Sequence, residues 1–124
     1  MTGPAVEPVG AIRAGLGEGP VWDSKRNLLL WIDIRLSRLY TTDIQTAATT
    51  FCDLPGSPGC VALTRDGEVL LAIGQELFVL SKDSEVRRIT VLSAGALGWF
   101  NDGKPVLGRD GDGGRAFWLL PLAV

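Results

Sequence analysis

The residues with chemistry to offer are oxygen donors. Glu18 stands in "LGEGPVWD" between two glycines, and about eighty residues later Asn101 and Asp102 stand together in "FNDG". The chain contains no histidine, which excludes Ser-His-Asp and Cys-His catalysis within it. A histidine-rich zinc or iron site is excluded as well. A metal held here would be held mainly by oxygen atoms, which on ligand type favours calcium, magnesium or manganese. Taken alone, Glu18 also reads as a solvated loop acid. "NDG" also reads as an ordinary turn, since all three residues tolerate positive φ or bond their own backbone.

The surroundings of Glu18 narrow its setting. Flanking glycines let the backbone pass close to its neighbours without a Cβ in the way. Pro20 fixes its own φ and disfavours helix at the residue before it, so a strand is expected to follow. For the same reason "GLGEG" is not a dinucleotide-binding loop, which needs a helix at this point. "DGDGG" (110–114) lacks the acids of a calcium loop, because its fifth position is Gly114 and its twelfth Pro121. It is expected to be a turn.

Elements that could position such donors are short and many. The 124 residues are 46% hydrophobic, with 16 glycines and 7 prolines spread along the chain, a pattern of strands joined by turns. A net charge of -2 gives no reason to expect nucleic acid. No run approaches the ~20 apolar residues that span a bilayer, and the first residues lack the pattern of a signal peptide. Cys52 and Cys60 flank "DLPGSPG". A cytoplasmic chain keeps them as thiols, with a disulfide across the loop as the alternative.

Strand-like runs recur: "NLLLWIDI" (27–34), "RLYTTDI" (38–44), "TTFCDL" (49–54), "CVALT" (60–64), "EVLLAIG" (68–74), "ELFVLS" (76–81) and "VRRITVL" (86–92). A unit of four strands begins near Gly19, another near Gly59, and a third opens near Gly98. A period of about forty residues with four strands per unit is the signature of β-propeller blades. An antiparallel sandwich is the competing all-β architecture. Propellers close with four to eight blades, so two complete units and part of a third leave terminal faces to be covered. Self-association is one way to cover them.

"LGEGPVWDSKRNLLLWIDI", with "RLYTTD", "GCVALTRDG", "LLAIGQELFVL" and "FNDGK", resembles the gluconolactonase and regucalcin (senescence marker protein) family over roughly residues 14–104. The resemblance implies a six-bladed propeller with one divalent cation in its channel. Calcium comes first, with zinc, magnesium or manganese as alternatives. It also implies hydrolysis of a small sugar lactone. In that family a glutamate, two asparagines and an aspartate hold the metal. The glutamate maps onto Glu18 and the first asparagine onto Asn101, while the other two ligands belong to later blades. The four tryptophans are expected to pack within and between blades.

The likeness then lapses. Residues 1–13 read as an N-terminal extension. Residues 105–124, "PVLGRDGDGGRAFWLLPLAV", depart from the family pattern as a divergent tail. Trp99 replaces an arginine that often contacts the sugar. The expectation is therefore a truncated lactonase of little or no activity. The alternative is a non-catalytic propeller fragment acting as a binding or assembly module.

Overall fold

Among the described residues every regular element is a β-strand. The computed structural model describes residues 3–91, 99–109 and 115–122, with side chains over 3–90. The strands are β1 (Gly17–Asp23), β2 (Leu28–Asp33), β3 (Arg38–Asp43), β4 (Thr49–Asp53), β5 (Pro58–Leu63), β6 (Val69–Ile73), β7 (Glu76–Leu80), β8 (Val86–Val91), β9 (Trp99–Arg109) and β10 (Arg115–Leu122). β1 to β4 form one antiparallel sheet in sequence order, β5 to β8 a second, and β9 pairs with β10.

Turn chemistry recurs every ten residues in the first sheet. Asp23, Asp33 and Asp43 end successive strands. Each accepts the backbone N–H groups two and three residues on, as in Asp43 to Gln45 at 2.9 Å and Thr46 at 3.3 Å. Four residues past each aspartate the chain turns through positive φ, at Asn27, Ser37 and Ala47. An aspartate that bonds its own backbone nucleates such a turn. In the second sheet Thr64 and Ser81 hydroxyls take over, accepting from Glu68 and Glu85 N–H.

Alternation along the strands gives each sheet two faces. Leu30, Ile32 and Leu39 of the first sheet meet Val61, Val69, Leu71, Ile73 and Leu80 of the second in one buried cluster. Ile32 and Leu71 are completely buried there, each contributing about 1.5–3 kcal/mol of apolar transfer. The second sheet has another apolar face, formed by Cys60, Ala62, Leu70, Ala72, Leu77 and Val79. β9 of the third sheet lies beside β5 and β6.

On the first sheet's other face Trp31, Tyr40 and Phe51 are cross-strand partners. Trp31 stacks on Tyr40 at 4.2 Å between centroids, and Tyr40 meets Phe51 tilted at 5.9 Å. Arg38 covers the Phe51 ring and pairs with Asp53 at 3.0 Å. Trp31 and Tyr40 pack as a blade tryptophan should, whereas Trp22 is 48% exposed and departs from expectation. Its face looks away from the second sheet. Trp99 and Trp118 have side chains outside the described residues, as does "DGDGG". Cys52 and Cys60 are not joined in a disulfide.

The strands match the sequence reading with two differences. β1 does not begin after Pro20 but runs through it. The register jumps from Glu18↔Ile32 to Val21↔Leu30, so Gly19 and Pro20 together oppose Trp31 as a bulge. Residues 115–122 also form a strand paired with β9.

Candidate functional site

Glu18 is the second residue of β1, which is the edge strand of its sheet. Three features fix its backbone. Gly19 takes φ 57, a conformation glycine adopts without penalty. The space is not what requires glycine, since an added Cβ would sit 3.6 Å from Ile32 Cδ1, an ordinary contact. Gly17 is tighter, with Ala14 Cβ at 3.3 Å and the Trp31 ring at 3.4 Å from where its Cβ would lie.

The third feature is Asp33, directly opposite Gly17. Its carboxylate is completely buried and accepts four backbone N–H groups, from Gly15 (2.7 Å), Leu16 (3.1 Å), Arg35 (3.0 Å) and Leu36 (3.0 Å). Burial alone would push its pKa up. The bonds from Leu36, Gly15, Leu16 and Arg35 outweigh that and hold it below the usual carboxylate range. Ile34 N–H donates to the Leu16 carbonyl at 2.9 Å. The chain therefore enters β1 clamped on both sides.

The Glu18 side chain itself is exposed. No hydrogen bond or ion pair among the described residues engages its carboxylate. It stands at the lip of a hollow of about 400 Å³ lined also by Pro20, Trp31, Thr42, Thr49 and Ile12. Trp31 Nε1 donates to Thr42 Oγ1 at 3.0 Å, and that hydroxyl lies 2.9 Å from Thr49 Oγ1. These side chains are polar yet satisfied within the sheet.

β1 lies against β5, and β5 against β9. The first strands of the three sheets thus run along one side of the molecule, and Asn101 falls within β9. The side chains of Asn101, Asp102 and Trp99 lie outside the described residues. A bulge recurs in β5, between Pro58 and Cys60, forty residues after the one at Gly19. Among the described residues no three His, Cys, Asp or Glu side chains gather as a ligand set. Among the described residues the Glu18 carboxylate is an unengaged oxygen donor, of the type that a hard cation takes.

Asp33 lies within the stretch "LGEGPVWDSKRNLLLWIDI" that carries the family resemblance, but nothing in the sequence gives it a task. Its task is to hold the approach to Glu18. The partners lie 17 and 18 residues earlier, beyond what a local motif reports.

Sheets of four antiparallel strands, stacked face to face with their first strands on a common side, are blades of a β-propeller. The chain belongs to the SMP-30/Gluconolactonase/LRE-like family, whose region matches residues 16–115. It is 32% identical to regucalcin of Gallus gallus over 106 residues, 84% of this chain and 36% of that protein. It is 31% identical to 6-deoxy-6-sulfogluconolactonase of Pseudomonas putida over 91 residues, 72% of this chain and 31% of the relative. The chain thus spans about a third of the length of these relatives. Among solved structures, a luciferin-regenerating enzyme superposes with TM-score 0.65 at 21% identity, covering 73% of this chain and 33% of that one. Regucalcin from Agrobacterium tumefaciens, described as a calcium-binding protein, gives 0.55 at 24%, covering 59% and 25%. Both likenesses concern the fold.

Proposed function

We propose that this chain carries the first blades of a sugar-lactone hydrolase that uses a divalent cation, with Glu18 and Asn101 as two of its oxygen ligands. The observation that carries the reading is the Glu18 carboxylate: exposed, unengaged among the described residues, and held beside a bulge on the strand nearest the next blade. The gluconolactonase relative supports a lactone substrate. The calcium-binding neighbour supports calcium ahead of zinc, magnesium or manganese.

Such a cation, when bound, supplies Lewis-acid polarisation of the lactone carbonyl and a more acidic bound water. This chain's own residues bind and orient. Glu18 contributes a full negative charge and Asn101 a neutral amide oxygen. Asp33 keeps the Glu18 backbone in place, and Gly19 aims it. Two protein ligands leave most of the coordination shell to water, so affinity falls at the weak end, a Kd of about 10⁻³ M. Activity of these blades by themselves is correspondingly low. Two cysteines that are not joined in a disulfide suit a cytoplasmic setting. No helix among the described residues is long and apolar enough to cross a membrane. Neither nucleic acid nor a membrane is a proposed partner.

Calcium titration by calorimetry, with Glu18→Gln alongside, tests the assignment. Weak binding that disappears in the variant is expected. Binding unchanged by the substitution removes Glu18 from the site, and metal-dependent turnover of gluconolactone far above its spontaneous rate contradicts the low activity. A second reading, a binding or assembly module, is favoured by the exposure of Trp22 and Phe51 on one face of the first blade. Sedimentation equilibrium separates it: a concentration-dependent trimer fits three two-blade chains closing a ring.

A further inference from the structure

A second hollow, of about 510 Å³, opens between the first two blades. The register places it at the Glu18 end of the sheets. Gly17 pairs with Asp33, Arg38 with Asp53, and Pro58 with Ile73. The β2–β3 turn, the β4–β5 loop and the β6–β7 turn therefore all gather at the end where β1 begins. Its walls are Ile34, Pro55, Ile73 and Phe78, with Ser57 and Glu76 as the charged or hydroxylic members. Glu76 already faces Arg88 at 3.6 Å.

Two glycines explain why a gap exists here. A Cβ on Gly56 would come within 2.9 Å of Ile73 Cγ2, so the loop packs directly onto the floor of the hollow. At Gly74, φ 61 makes a tight turn, and a Cβ there would find nothing within 4 Å. The mouth is left open. The volume falls within the range of small-molecule sites. Apolar walls with few free polar groups suit hydrocarbon. A sugar ring placed there would leave hydroxyls without partners, each at a cost in free energy.

Resting on the lactone reading above, we infer that this hollow is a subsite for the hydrocarbon arm of the substrate, so that the lactone taken at the Glu18 end carries an alkyl or aryl substituent. The arm gains affinity by leaving water, while the ring stays at the polar end.

The test needs no metal and no turnover. Binding of δ-decalactone and δ-valerolactone is followed by NMR on the full chain, with the resonances of Ile34, Ile73 and Phe78 as reporters. Decalactone is expected to shift those resonances and to bind more than about tenfold tighter, since five further carbons leave water. Ser57→Trp, at an exposed position, plugs the mouth and should erase the difference; Ser57→Leu repeats the test with a smaller plug. Equal affinity of the two lactones, or shifts confined to other residues, overturns the subsite. A failure of Glu18→Gln to change calcium binding counts against the metal assignment and leaves these reporters untouched, so the two failures are distinct.

Discussion

The carboxylate of Asp33 accepts the backbone N–H of Gly15 at 2.7 Å across 18 residues of chain, and through this bond the end of β2 holds the start of β1. Replacing the group leaves four N–H donors to share one amide oxygen, beside an NH₂ that can accept nothing. Asp33→Asn is expected to destabilise the chain by about 2–4 kcal/mol, the cost of buried donors losing a charged acceptor. Urea unfolding measures it. Calcium affinity should drop in the same variant, although Asp33 touches no metal.

Acid should reach the fold partly through this residue. Its folded pKa lies below the usual range because four N–H bonds outweigh burial. The stabilisation is therefore complete above the unfolded value, near pH 4, and disappears as pH falls through the folded value. Urea midpoints from pH 7 downward are expected to decline more steeply below about pH 4 in the wild type than in Asp33→Asn. Parallel profiles would assign acid sensitivity elsewhere.

Gly19 and Gly74 make a matched pair. Both have positive φ, 57 and 61, and neither has a neighbour that an added methyl would strike. Alanine at either is expected to cost about 1–2 kcal/mol through backbone strain alone. Only Gly19→Ala should weaken calcium binding, because only Gly19 adjoins Glu18. Equal loss of binding in both would mean that overall stability, not aim, governs the site.

Leu71 is completely buried between the first two blades. Leu71→Ala should remove about 2–5 kcal/mol. Because the residue couples the two sheets, circular dichroism and tryptophan fluorescence should still report one transition at a lower temperature. Trp22 and Trp31 belong to the first blade, Trp99 and Trp118 to β9 and β10, and the second blade has no tryptophan, so separate midpoints from the two signals would show the second blade unfolding independently.

Much of the fold was written locally. Aspartates at ten-residue spacing, each followed by a turn, set the hairpins of the first sheet. "RDG" and "SKDSE" did the same in the second, with hydroxyls where the first sheet has carboxylates. Alternating apolar residues then named the faces. The place of Glu18 at the start of a strand was legible because glycine, glutamate, glycine and proline lie side by side. Asp33's service to it was not, since the recipients of its bonds lie at Gly15 and Leu16. Nor could the sequence announce the hollow over Ile73, which three separated segments enclose. The exposure of Trp22 also escaped it, because an aromatic residue on a strand reads the same whether or not its face has a neighbour.

All the pairings of the first sheet join strands adjacent in sequence, and the last one, Arg38 with Asp53, closes over 15 residues. Contacts this local form quickly. A ribosome that has released Asp53 has therefore supplied every rung of the first hairpin series, and the second series finds a finished surface at Ile32 and Leu39 on which to condense. Pulling-force profiles on stalled nascent chains should rise first as residue 53 clears the exit tunnel and again after residue 91, so that synthesis itself stages the docking of one sheet upon the next.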